Sequence, residues 1–263
     1  MAGFLTRWRR RRALAATHIE AELWQRVVAG LPFLRGLSEA DLARLRELAV
    51  LFLAEKTMDG AGGLELTNDI RLSIALQACI PILNLGMDAY GGWVGIVVYP
   101  GEFLVSREEM DEDGVMHQVR EQISGEAWPG GPVVLSWQDA AMTDAGYNVV
   151  IHEFAHKLDM LAGESEDGHP QPRPGMNAAR WHEVFETAYE DFCADVDSGA
   201  ETILDPYAAE HPAEFFAVAS EMFFTQSAVQ ARDWPELYEQ LSRYYLQDPA
   251  GVLAPATALS GKP

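Results

Sequence analysis

From Ile19 to Leu53 apolar residues recur at intervals of three and four, the spacing of helices that each bury one stripe. Within it, Leu37-Ser38-Glu39-Ala40-Asp41 reads as a helix start capped by Ser38, which divides the segment into two amphipathic helices. A third helix is predicted from about Asn68 to Leu85, where Ile70, Ile74 and Ala78 share a wide apolar face and Pro81 kinks or ends it. The texture then changes. Val94–Tyr99, Phe103–Ser106, Gln118–Ser124 and Pro132–Trp137 are short, rich in β-branched or aromatic residues and separated by Gly, Pro and acidic turns, as in a small mixed or antiparallel sheet. Helical periodicity returns at Tyr147 and lasts to about Leu246, broken by the Gly-, Pro- and acid-rich loop Ala162–Gly175. An α+β fold follows, with N-terminal helices packed on the sheet and further helices after it.

Composition sharpens this outline. With 263 residues, 48% of them apolar, the chain can bury one substantial core. We divide it into a basic arm over 1–17, expected to be frayed, and a single domain over 18–248. That domain has a helical part at 18–90 and a core at 91–248, and an unstructured tail follows at 249–263. The two cysteines, Cys79 and Cys193, both lie in apolar helix-like stretches, which leaves no material for a disulfide framework and suits a reducing cytoplasm. A formal charge of −21 repels nucleic acid, and no apolar run is long enough for a membrane span. Arg7 to Arg12, interrupted only by Trp8, is the one basic cluster; it lacks the apolar stretch of a secretory signal. Besides fraying, such an arm suits weak docking to an acidic partner or a membrane surface.

The chemistry concentrates in Tyr147-Asn-Val-Val-Ile-His-Glu-Phe-Ala-His-Lys-Leu-Asp-Met-Leu161, which contains His-Glu-x-x-His. On a helix, residues four apart point the same way, so His152 and His156 can grip one ion, while Val150, Phe154 and Leu158 form a separate apolar stripe. Zinc accepts neutral imidazoles and, in catalytic sites, keeps one position for water after three protein ligands. Glu153, between the histidines, is then placed to act as general base. Lys157 is expected on the solvent side of this helix, its stem lying along the protein.

For the third ligand, Asp159 and Ala162 stand where HExxHxxGxxH would have Gly and His, which excludes that pattern. Glu164, Glu166 and His169 in the loop remain, as do Glu210, Glu214 and Glu221 near the next strongly patterned helix. That helix, within His211–Phe224, has Pro212 at its first turn and apolar residues nearly all round, so a carboxylate in it needs a partner or a metal. Glu214 and Glu221 share a face, which lets one bind metal and the other brace a ligand histidine. Spacing does not rank them.

Several stretches in order then resemble one family: Leu31-Pro-Phe-Leu-Arg-Gly-Leu37, Ile80-Pro-Ile-Leu-Asn-Leu-Gly86, Val97-Val-Tyr-Pro100, Gly131-Pro-Val-Val-Leu-Ser-Trp137, the run His152–Asp159, and Pro212-Ala-Glu-Phe-Phe-Ala-Val-Ala-Ser-Glu221. Together they resemble the Mlc titration factor A family, bacterial zinc metallopeptidases of the gluzincin type. The resemblance implies a zincin-like helix pair, a core similar to the catalytic domain of anthrax lethal factor, Glu214 as third ligand, and Tyr207 as an active-site tyrosine. It further implies cleavage of peptide or protein substrates, with aminopeptidase action on small ones, and a possible partner in the repressor Mlc.

Asp159 reads either as an acceptor for a ligand histidine's free N–H or as a helix-end or surface charge, and Glu221 as another such acceptor. Pro132–Trp137 is the expected exposed edge for a substrate peptide, and Ala162–Gly175 has the composition of a lid or of a mobile loop. No nucleophile-elbow Gly-x-Ser-x-Gly is present. Two functions therefore compete: a zinc peptidase, and a binding protein that sequesters a transcriptional repressor with a weak or vestigial peptidase site. An intact Glu153 favours the enzyme, because metal binding alone has no need of a carboxylate beside the water.

Overall fold

The computed structural model describes residues 3–110, 116–142, 146–162 and 167–251. In chain order the elements are α1 (Phe4–Ala16), α2 (Ala21–Ala29), α3 (Glu39–Glu55), β1 (Thr57–Gly60), α4 (Asn68–Cys79), β2 (Gly95–Tyr99), β3 (Phe103–Met110), β4 (Met116–Ile123), β5 (Gly125–Ala127) and β6 (Val133–Ser136). The helices α5 (Trp137–Ala140), α6 (Val149–Asp159), α7 (Ala178–Ser198), α8 (Pro212–Thr225), α9 (Ser227–Asp233) and α10 (Pro235–Tyr245) complete it. Polar side chains set several helix starts. Ser38 Oγ accepts the N–H of Asp41 at 3.1 Å, and Asn148 Oδ1 that of Ile151 at 2.8 Å, each satisfying a donor the helix leaves free. The helix α4 stops at Cys79, short of the expected Leu85, because the residue before Pro81 is disfavoured in helical conformation.

Four strands form a mixed sheet in the order β1-β2-β6-β5, with β1, β2 and β6 parallel and β5 antiparallel on the outside; β3 and β4 make a separate antiparallel ribbon. Two of these strands were not expected. In β1, Thr-Met-Asp-Gly buries only Met58, and in β5 there are three residues, so neither carries an apolar alternation. The parallel pairing of β1 with β2 also places the 18–90 segment and the segment after it in one sheet. Pro132–Trp137 is not an edge: β6 lies between β2 and β5 with all four residues buried, and the outer position belongs to β5.

The basic segment at the start also differs from the expected frayed arm. It forms α1, which lies on α3 and is clamped by Arg10, whose guanidinium reaches Glu55 at 2.6 Å and Asp88 at 2.7 Å. Those acids belong to distant segments, so no local pattern announces the clamp. At the other end, Gln247 donates to the Ile80 carbonyl and Asn84 to that of Leu246, tying the chain after α10 to the turn after α4. Residues 252–263, most of the expected tail, lie outside the described residues.

The helix α6 is the axis of the core, touching α4, α8, β5 and β6. Ten of its eleven residues are buried. Phe154 stands among Phe52, Tyr90 and Trp93 at ring separations of 5.6, 5.1 and 5.6 Å, in tilted and edge-on geometries. Lys157 is buried too, contrary to its expected solvent position: its ammonium donates to the carbonyls of Trp128 and Gly131, at the turn joining β5 to β6, and lies 5.0 Å from the Trp93 ring centre. Two carbonyls and a π-face replace water around the charge.

Truncation of Phe154 therefore removes a ring with no room to be replaced by solvent. Phe154→Ala is expected to destabilise the protein by about 3–5 kcal/mol in equilibrium denaturation; a loss below about 1 kcal/mol would show that the aromatic cluster does not hold α6.

Candidate metal centre

The site is built by two helices that meet side by side. On α6, His152 and His156 are one turn apart and project together, with ring centres 4.7 Å apart. Across from them, α8 begins at Pro212, with the His211 ring accepting the Ala213 N–H at 3.1 Å as its cap. This start places Glu214 in the first turn, where its side chain faces the histidines. The helix α8 is buried along nearly all its length, as its apolar pattern requires.

Three atoms converge. His152 Nε2 and His156 Nε2 are 3.1 Å apart, and Glu214 Oε2 lies 3.0 Å from the first and 3.5 Å from the second. This is the one group of three or more potential ligand side chains among the described residues close enough to hold an ion. Ligands held at about 2.0–2.1 Å around a tetrahedral zinc sit roughly 3.3 Å from one another, so the donor triangle fits such an ion. Chemistry points the same way, since two imidazole nitrogens aimed at each other beside an enclosed carboxylate oxygen compete for protons that one cation would replace. Burial opposes the negative charge on Glu214, but hydrogen bonds from His152 and His156 hold its pKa well below the usual carboxylate range. Burial likewise opposes a charged His152, yet Glu214 and Glu221 keep its pKa well above the usual histidine range.

Geometry separates the two glutamates that spacing leaves equal. Glu214 meets the Nε2 atoms, whereas Glu221, two turns on, meets the far side of the ring: its Oε1 is 2.7 Å from His152 Nδ1. The other oxygen, Oε2, accepts the backbone N–H of Asn148 at the start of α6. Glu221 thereby fixes both the ring of His152 and the end of the helix that carries it. Asn148 continues the chain, donating from Nδ2 to Gln77 Oε1 at 2.7 Å, and Gln77 donates to the Ala140 carbonyl at 3.0 Å.

Glu153 is buried and points to the opposite flank, against β5. A side-chain carbon at Gly125 would collide with the Glu153 carboxylate, lying 2.8 Å from its Cδ and 2.7 Å from Val149 Cγ2. Glycine is therefore the residue that lets the strand pass over the carboxylate. Tyr207, in the 3-10 turn Pro206–Ala209, has its ring 6.4 Å from that of His152; burial and the adjacent Glu214 push its phenol above the ordinary range, so it stays a proton donor. On the strand side, burial pushes the Tyr147 phenol up to about 12, against a hydrogen bond with Ser124, within the field of Glu221 and Glu153.

The remaining candidates take varied positions, and Asp159 stays within the field of His156. Asp159 is buried and accepts the N–H groups of Asp167 and Gly168 at 3.0 and 2.7 Å on Oδ2, so it anchors the returning loop; burial pushes its pKa up to about 6. Gly168, at φ +78°, packs against the Pro212 backbone with no room for a side chain, which braces the start of α8. His169 lies beside His182, ring centres 5.3 Å apart, Glu210 is exposed, and His211 serves as the α8 cap. Glu164 and Glu166, with residues 163–166 of the expected lid, lie outside the described residues. Gly125, Gly168, Asn148 and Tyr147 had no individual role in the sequence reading. A glycine directly after the strand-like run Gln118–Ser124 is a signal for Gly125, since it marks close backbone approach; Asn148, ahead of an apolar-periodic run, carries a helix-cap signal, and nothing local marks Tyr147.

Comparison with known proteins adds a family model described as glucose-regulated metallo-peptidase M90, which matches residues 5–246. Among similar proteins, Mlc titration factor A of Serratia proteamaculans is 38% identical over 234 residues, 88% of each chain. The proteins of that name from Klebsiella pneumoniae strain 342 and Escherichia coli O9:H4 are 37% and 35% identical, covering 86% and 89% of each chain respectively.

The geometry ranks the glutamates by experiment as well. Glu214→Gln should weaken binding of added zinc by more than about 100-fold, and Glu221→Gln by about 10- to 100-fold. Competition with a chelating dye measures both; the reverse order would mean that Glu221 and not Glu214 meets the ion.

Proposed function

The chain belongs to the glucose-regulated metallo-peptidase M90 family, and on that premise we propose that it is a zinc-dependent peptidase with His152, His156 and Glu214 as ligands and Glu153 as catalytic base. The observation that carries the reading is the meeting of His152 Nε2, His156 Nε2 and Glu214 Oε2 beside the buried carboxylate of Glu153. When bound, zinc supplies a Lewis acid that makes water acidic near neutral pH. Glu153 takes the proton from the attacking water and returns it to the departing amine. Its position is fixed by α6 from below and by Gly125 from above.

As the scissile carbonyl turns tetrahedral, negative charge grows on its oxygen, and a neutral phenol aimed there stabilises the transition state more than the bound substrate. Tyr207 is that donor in our reading, its proton kept by burial and by the neighbouring Glu214. Glu221 holds His152 by Nδ1, so that Nε2 is free to face the ion. The substrate is a peptide lying along β5, the outer strand, antiparallel to β6 and packed on α6. On small peptides the action is aminopeptidase-like, following the family resemblance, and the two unbridged cysteines suit work in the cytoplasm. The catalytic core is of the zincin type, similar to that of anthrax lethal factor.

The names of the relatives support a second reading, in which this chain binds a transcriptional repressor such as Mlc. The two readings part at Glu153. If sequestration is the whole function, Glu153→Gln leaves the cellular phenotype untouched, whereas a peptidase loses it.

Purified protein is expected to carry about one zinc per chain, and a chelator to abolish cleavage of a mixed peptide library until zinc is restored. Glu153→Gln should retain the metal while turnover falls by about 100-fold or more; wild-type turnover in this variant would falsify the assignment of the base. Tyr207→Phe, which deletes only the hydroxyl, should lower kcat by about 10²- to 10³-fold with little change in KM or zinc content. Near wild-type kcat across several peptides would leave Tyr207 a packing residue.

A further inference from the structure

We propose that α1 is a peripheral docking helix for anionic lipid surfaces, with Phe4, Leu5 and Trp8 entering the interface and Arg7, Arg11 and Arg12 meeting the headgroups. The inference is independent of the peptidase reading. It starts from how the helix is held. Thr6, Arg10 and Ala13 are its half-buried positions, and Arg10 clamps it through Glu55 and Asp88. That clamp fixes which way the rest of the helix faces. At about 100° per residue, Phe4 and Trp8 fall within about 30° of the line pointing away from the body, Arg11 and Arg12 at about 50° on either side, and Leu5 and Arg7 further out on the flanks.

The outward side is unlike an ordinary solvated helix face. Phe4 is 76% exposed, Leu5 68% and Trp8 52%, and Arg7, Arg9, Arg11 and Arg12 are exposed around them, Arg12 lying 5.6 Å from the centre of the Trp8 ring. Helices with aromatic and leucine residues set among arginines lie in the membrane interface, gaining from apolar burial and from attraction to anionic headgroups. Charge contrast gives it direction: α1 carries five arginines and no acid on a chain of formal charge −21, so an anionic surface attracts this helix and repels the remainder. The protein would thus sit on its N-terminal helix with the acidic body turned away. A nucleic acid would use the arginines but leave Phe4 and Leu5 in water.

Sedimentation of the full chain with vesicles tests this. Binding is expected to vesicles of phosphatidylcholine with about one third phosphatidylglycerol, absent on pure phosphatidylcholine and lost at high salt. Charge reversal by Arg7→Glu, Arg11→Glu and Arg12→Glu together should lower partitioning by about tenfold or more, and so should Phe4→Ser, Leu5→Ser and Trp8→Ser together. Arg10 is retained in both variants, and an unchanged thermal midpoint shows that the body still folds. Equal binding to both vesicle types, no binding to either, or binding unaffected by both sets overturns the proposal. Loss with the arginine set alone, together with binding to RNA, also overturns it and makes α1 a nucleic-acid contact.

Discussion

Glu221 is a buried carboxylate with its two oxygens committed to two different tasks, and the arrangement of the centre depends on it. One oxygen fixes His152 through Nδ1; the other takes the N–H of Asn148, a donor at the head of α6. An acid buried in a helix as apolar as α8 is costly unless such partners answer it. The cost is what makes the arrangement specific. Any slide or rotation of α8 against α6 would leave the charge unanswered, so the two helices have one relative position of low energy. Glu214, two turns back towards the start of the same helix, inherits its place opposite the imidazoles from that alignment.

Around this polar tie, packing removes the remaining freedom. Phe154 and its aromatic neighbours hold α6 from one side, and Lys157 fastens it to the β5–β6 turn by carbonyl contacts from another. Glycines complete the fit where backbones come too close for a side chain: Gly125 over Glu153, and Gly168 against Pro212, kept there by Asp159. These contacts fix each group within the fold, the kind of preorganisation on which the proposed electrostatic catalysis depends.

Much of this was legible in the chain. Period and capping residues located α3, α4, α6 and α8, because Ser38, Asn68 to Ala78, and the turns around Pro81 and Pro212 carry local rules. His152, Glu153 and His156 were legible as a group because a helix turns a sequence interval into a direction. What escaped depended on partners distant in sequence. Thr57–Gly60 is a strand only because β2 pairs with it, and Arg10 orders α1 only because Glu55 and Asp88 come near. Lys157 reads as a surface residue until the turn at Trp128 and Gly131 offers it two carbonyls. The edge was misplaced for a related reason: the strongest apolar run, Val133–Ser136, marks the most buried strand, and the true outer strand is too short and polar to show a pattern. Glu214 and Glu221 shared a helical face, and only their distances to the two ends of one ring tell them apart.

The ties between the chain after α10 and the turn after α4 bear on how the molecule is made. Gln247 reaches Ile80 across 167 positions, and Asn84 reaches Leu246 across 162, so the region after α4 waits for the last helix before its hydrogen bonds close. During synthesis the N-terminal helices emerge long before those partners do, and α6 appears with its histidines while α8 is still unmade. A ribosome-bound chain therefore exposes the apolar faces of α4 and α6, complete with two of the three candidate ligands, for the time needed to add roughly 90 further residues, about several seconds or more at ordinary rates of synthesis. The centre closes only once α8 has been added, which makes the length of that exposed interval, and whatever shields it, a determinant of how much folded protein a cell obtains.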